Sequence, residues 1–120
     1  MLRTIRVTIS VQLALTIVLS SEAQNINTEQ EALAEHAASC AAYFYSAAYA
    51  NGVSKYESFY GAGEYSFNLA VTASSDGKAL EWFNDASKQI NQLMGKRWVD
   101  FHKAEAVFGP KCDKLMSASQ

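Results

Sequence analysis

Proline is almost missing from this chain: Pro110 is its only one. Few positions therefore force a helix to stop, since proline is the residue that most reliably breaks one. Histidine is scarce, with only His36 and His102. Neither follows a glutamate by three residues; Leu33 and Val99 stand there instead. The paired Glu-x-x-His ligands of a di-iron bundle are thus missing. Cysteine is limited to Cys40 and Cys112. Without a Cys-x-x-Cys pair, neither dithiol redox chemistry nor covalent haem attachment is supported. Positive charge is short as well. The chain carries a net −2, a poor match to nucleic acid or anionic membranes, which need a basic stripe. There is no Gly-x-Ser-x-Gly nucleophile elbow. Gly61-Ala62-Gly63 lacks both the third glycine and the preceding strand of a phosphate-cradling loop.

The first residues have an address rather than a fold. Arg3 and Arg6 precede an apolar run, Val7 to Leu19, and Ser21-Glu22-Ala23 supplies small residues around a cleavage point. This is the layout of a secretory signal peptide. The run has thirteen residues, fewer than the roughly 18 of a membrane-spanning helix. The expectation is a signal peptide over residues 1–23, a single helical domain over 24–120, and export to a periplasmic or extracellular space. No stable membrane span is expected after cleavage. In an oxidising compartment the two cysteines form a disulfide by default.

Helical periodicity fills the rest. Thr28 to Glu31 fits a capping box, and a helix follows from Glu29 to Ala50, stopped by Asn51-Gly52. Leu33, Ala37, Cys40, Phe44 and Ala47 recur on one face. A second helix spans Lys55 to Ala73, opened by a second capping box, Ser54 to Glu57; a start near Gly63 is the alternative. Tyr56, Tyr60, Gly63, Phe67 and Ala70 share its face. Ser74-Ser75-Asp76-Gly77 is a clear break. A third helix is predicted over Lys78 to Val107, bent near Gly95. Its stripe runs from Leu80 through Ile90, Met94, Trp98 and Phe101 to Phe108. Gly109-Pro110 should end it and start a short helix, Lys111 to Ser117, carrying Cys112. The fold class is all-α: a small antiparallel helical bundle of three main helices plus a short C-terminal one, with one disulfide.

Aromatic residues are the compositional surplus. Nine lie between Tyr43 and Phe67. Consecutive helical residues point about 100° apart, so Tyr43, Phe44 and Tyr45 do not share one face. Some tyrosines must keep their hydroxyls wet. Tyr45, Tyr49, Tyr56 and Tyr60, around the first helix–helix turn, are the candidate contact surface, because tyrosine is enriched in protein interfaces. Glu57 with Glu64, and Lys96-Arg97 with Lys103, read as solvated charges.

The reading that follows is an exported, disulfide-stapled protein that acts by protein binding, as an inhibitor, immunity-like factor, chaperone or envelope accessory. Its partner would be another exported or envelope protein. A small-ligand or cofactor carrier is the alternative. His102 with Met94 or Met116 would be its haem ligands, and His36 sits at i,i+4 from Cys40. A hydrolytic enzyme is the weakest reading. No catalytic residue, metal ligand or cofactor is assigned.

Overall fold

A computed structural model describes residues 28–118. The segment read as a signal peptide lies outside the described residues. The account below concerns the unit that begins at Glu31.

Four α-helices make the bundle: α1 (residues 28–50), α2 (Val53–Ala73), α3 (Asp76–Met94) and α4 (Phe101–Ala118), with one 3-10 turn, Trp98–Asp100, before α4. Among the described residues there is no strand. No helix there is long and apolar enough to cross a membrane. The chain runs up, down, up and down. Tyr45 meets Tyr60 across the α1–α2 pair, Phe67 meets Phe83 across α2–α3, and Cys40 is bonded to Cys112 across α1–α4.

α1 is the spine. Ala34, Ala37, Ala38 and then every residue from Cys40 to Phe44 are buried, followed by Ala47 and Ala48. Five consecutive buried positions cover the whole circumference of a helix. The expected single core seam is therefore too narrow a description, and Tyr43 and Phe44 are both interior. Alanine makes this possible: with only a methyl group per position, neighbouring helices approach closely from several sides. At the disulfide the Cα atoms of α1 and α4 are 5.3 Å apart. Leu33, expected on the core face, is instead exposed. The buried face at that level is Ala34, Ala37 and Ala38, and Leu33 lies at its edge.

α2 starts at Val53, so the longer of the two readings holds. Its N-cap is Gly52 at φ 80°, with no side-chain cap; the Ser54–Glu57 box is not used. Its buried face is Gly63, Ser66 and Ala70. Tyr56 and Tyr60, expected to share that face, are exposed. Gly63 is small for a reason. A Cβ there would lie 3.0 Å from Cδ1 of Tyr45, whose ring is held between Tyr60 and Phe83. Gly61 has open space around it. Two substitutions two residues apart thus have opposite signs. Gly61→Ala gains about 0.5–1 kcal/mol from helix propensity. Gly63→Ala loses about 1–2 kcal/mol net, as overpacking outweighs the same gain. Urea unfolding of both variants checks this; equal shifts would refute the packing argument.

α3 begins as the Ser-Ser-Asp-Gly break requires. Ser75 Oγ accepts from the Lys78 backbone N–H at 3.2 Å. Its end corrects the expectation of one helix to Val107. Gly95 is left-handed at φ 59°, and the N–H groups of Gly95 and Lys96 donate to the carbonyls of Gln92 and Asn91. That is a complete Schellman stop. Lys96 is also left-handed, at φ 63°, which commits the chain to leaving the helix axis. The second correction is at Gly109-Pro110, which does not interrupt anything: α4 runs through it, with Pro110 inside.

Candidate functional site

The disulfide fixes the site's geometry first. Cys40 and Cys112 both have 0% exposure, and their bond fastens the second half of α4 to the middle of α1. His36 ring nitrogens lie 3.9 Å from Cys40 Sγ. The bonded sulfur carries no proton and cannot be a thiolate, so the imidazole can only donate an N–H to it. Met94 is core, and Met116 Sδ accepts the buried Ser66 hydroxyl at 3.9 Å. Among the described residues no group of three or more His, Cys, Asp or Glu is placed to hold a metal ion.

The four predicted tyrosines separate into two ring assemblies. Tyr56 stacks on Tyr60, and Tyr60 meets Tyr45 edge-on at 5.2 Å. Tyr45 continues inward to Phe83, which meets Phe67. It is only half-exposed, and its hydroxyl pKa is raised, by burial first and then by Tyr60 and Glu64. Tyr45 is thus a packing residue over Gly63. Tyr49 belongs elsewhere: its ring lies 4.8 Å from Trp98, which in turn leans on Phe101. Tyr49 is 69% exposed and Trp98 44%. Trp98 escaped the sequence reading because it was placed inside a continuous helix stripe. Recognising Gly95-Lys96 as a stop would have put it in a connection, next to the exposed Val99. Arg97 reaches Asp100 at 3.9 Å, the local pairing expected of that basic cluster, worth little at the surface.

A second feature surrounds Tyr43. Its ring stacks with Phe101 and Phe108 and tilts against Phe44. The residue is 3% exposed, yet its hydroxyl makes no hydrogen bond among the described residues. No fully buried side-chain oxygen or nitrogen lacks a partner there. The part of Tyr43 that still meets solvent is therefore the hydroxyl, and it opens on a cleft of about 410 Å³. Phe59 of α2 and His102, Glu105, Gly109 and Asp113 of α4 line the same cleft. Gly109 leaves the room: a Cβ there would sit 3.2 Å from Tyr43 Oη. A hollow of about 440 Å³ at the end of α3 is lined by Lys88, Asn91, Gln92, Gly95 and Lys96. All five are exposed, so it has no fixed polar group to orient a ligand.

Burial, then the carboxylates of Glu105 and Asp113, push the Tyr43 pKa up to about 12. Below pH 10 the hydroxyl is protonated in both folded and unfolded chains, and nothing changes. Above pH 10 the unfolded chain ionises while the folded one keeps its proton, so stability falls until the pH reaches about 12. The loss across that interval is at most about 2 kcal/mol, since solvent in the cleft screens the hydroxyl. Denaturant titrations at rising pH should show it, and Tyr43→Phe should remove that part of the slope. Because the hydroxyl has no protein partner, the same variant should keep its stability at neutral pH.

No family model matches the chain, and comparisons with curated proteins and with solved structures find no significant similarity.

Proposed function

We propose that this is an exported protein that works by binding another exported or envelope protein through aromatic side chains. The observation that carries the reading is the pair Tyr49–Trp98, with Tyr56 and Tyr60 nearby in sequence to the α1–α2 turn. These are large rings left 40–69% exposed in a bundle that buries Tyr43 and Phe44 almost completely. Exposed Val53 and Val99 adjoin these residues in sequence. Apolar surface of this kind, in Tyr and Trp, is the composition of interface anchors. Tyr45 drops from the contact set, since its ring fills the space over Gly63. Export rests on the basic, apolar and small-residue order of residues 1–23.

The test is capture of partners from the native envelope or medium. Tyr49→Ser with Trp98→Ser should reduce capture at least tenfold, the loss typical of hot-spot truncation, while the circular dichroism and thermal midpoint stay near those of the parent. Tyr56→Ser with Tyr60→Ser should weaken it further. Undiminished capture by the four-fold variant would remove the aromatic surface from the proposal. Mass spectrometry of the exported protein should find Gln24 at its N-terminus.

A small-ligand carrier is the second reading, and the cleft at Tyr43 favours it.

A further inference from the structure

The cleft at Tyr43 has a chemistry of its own, independent of the exposed rings. Glu105, Gly109 and Asp113 follow each other at four-residue steps and so lie along one side of α4. The two acidic residues are eight positions apart, so their backbones are about 12 Å apart along the axis. Between them Gly109 opens the wall, and the Tyr43 hydroxyl stands in the opening. Neither carboxylate is in an ion pair among the described residues; the ion pairs there are Lys78–Glu31 and Arg97–Asp100. Lys111, close by on the same helix, places its Nζ over the Phe108 ring at 4.8 Å. Ala106 and Pro110 also line the cleft. Pro110 has no N–H, so the Ala106 carbonyl lacks its usual helical donor. The opposite wall is the half-buried ring of Phe59.

The two carboxylates and the Ala106 carbonyl favour a donor or a positive charge, and the Tyr43 hydroxyl can accept from one; the Lys111 ammonium is drawn aside over the Phe108 ring. Two anionic side chains, on residues about 12 Å apart along the helix axis, flank acceptors at the centre and an apolar wall. We propose that this cleft binds an extended aliphatic oligoamine: one ammonium at Glu105, another at Asp113, the methylene segments along Phe59 and Pro110, and the Tyr43 hydroxyl accepting from an amine in the middle of the chain. The acidic pair alone would be an ordinary solvated surface. The nearly buried, unpartnered tyrosine hydroxyl facing the same space makes it a built site.

The experiment is calorimetric titration of the purified protein with a series of alkane diamines, with octylamine as the one-ended control. Diaminooctane, whose ends are about 12 Å apart when extended, should bind about tenfold tighter than diaminoethane or octylamine. Glu105→Gln and Asp113→Asn should each cost about tenfold, the loss of one charge-assisted contact. For a triamine of the same length with a secondary ammonium at its centre, Tyr43→Phe should cost about fivefold with an unchanged thermal midpoint. Diaminooctane, which offers only methylenes there, should bind the variant like the parent; a purely structural role would not produce that combination. The double variant Glu81→Gln/Asp85→Asn removes the same charge from α3 and should bind like the parent. Absence of binding, equal binding of octylamine, or equal losses in the α3 variant would overturn the proposal. A peptide presenting two lysines at matching separation is the second arm. Tighter binding than diaminooctane assigns the ammonium groups to a polypeptide, and weaker binding assigns them to a free oligoamine; both keep the site.

Discussion

Replacing Cys40 and Cys112 together by alanine should lower the unfolding free energy by about 4 kcal/mol, the chain-entropy value for a loop of this length. The bond closes a loop of 72 residues, which holds the end of α1, all of α2 and α3, and α4 as far as Cys112. Domains of this size have about 5–15 kcal/mol in total, so the loss is large enough to bring unfolding close to physiological temperature. Urea titration of the oxidised protein beside the double variant measures it. A difference below about 1 kcal/mol would mean that native packing or a compact unfolded state already does the work of the bond. Both sulfurs have no solvent exposure. A reductant therefore acts only on opened molecules, and the rate of reduction should follow the rate of unfolding.

Pro110→Ala should act in the opposite sense, raising stability by up to about 3 kcal/mol. Inside α4 the proline withholds a hydrogen bond from the Ala106 carbonyl and crowds the preceding turn. The helix continues because it is held on both sides. Phe101, Ala104 and Phe108 are buried before the proline, and Cys112 and Leu115 after it. Gly109 helps, because a residue before proline is kept from the helical region partly by its Cβ, which glycine lacks. Removing the proline restores the bond without disturbing the anchors. Thermal unfolding of the variant checks the gain; a loss would show that the ring of Pro110 packs more usefully than its exposed position indicates.

These two residues mark the limits of reading helices from sequence. The α1 helix, the breaks at Asn51-Gly52 and Ser74 to Gly77, and the staple were legible because their signals are local or arithmetic. Gly95 and Gly109-Pro110 exchanged roles. The apolar stripe of α3 resumes in α4 at nearly the same phase, so periodicity hid the Schellman turn between them. At Pro110 the local signal was a stop, but burial on both flanks and the disulfide outweighed it, which no window of sequence contains. The tyrosines were legible as a surplus, not as a geometry. Tyr45 and Tyr49, one helical turn apart, ended in different assemblies because Gly63 receives one ring and the unforeseen connection at Trp98 receives the other. Tyr43 was left out of both the core face and the candidate contact surface. Only the small size of Gly109, facing it from α4, makes its hydroxyl reachable.

The burial of the middle of α1, residues 40–44, on every side has a further consequence for how the molecule opens. In a bundle where each helix shows one face to solvent, a terminal helix can fray and leave the others paired. Here α1 touches α2 through Tyr45 and Tyr60, α3 through Tyr45 and Phe83, and α4 through Tyr43 and the disulfide. Exposing the backbone of residues 37–48 means parting all three at once. Their amide protons should exchange only when the whole unit unfolds, at the full global free energy. The outer turns of α2 and α3 are left to open singly, on their own and much faster clock.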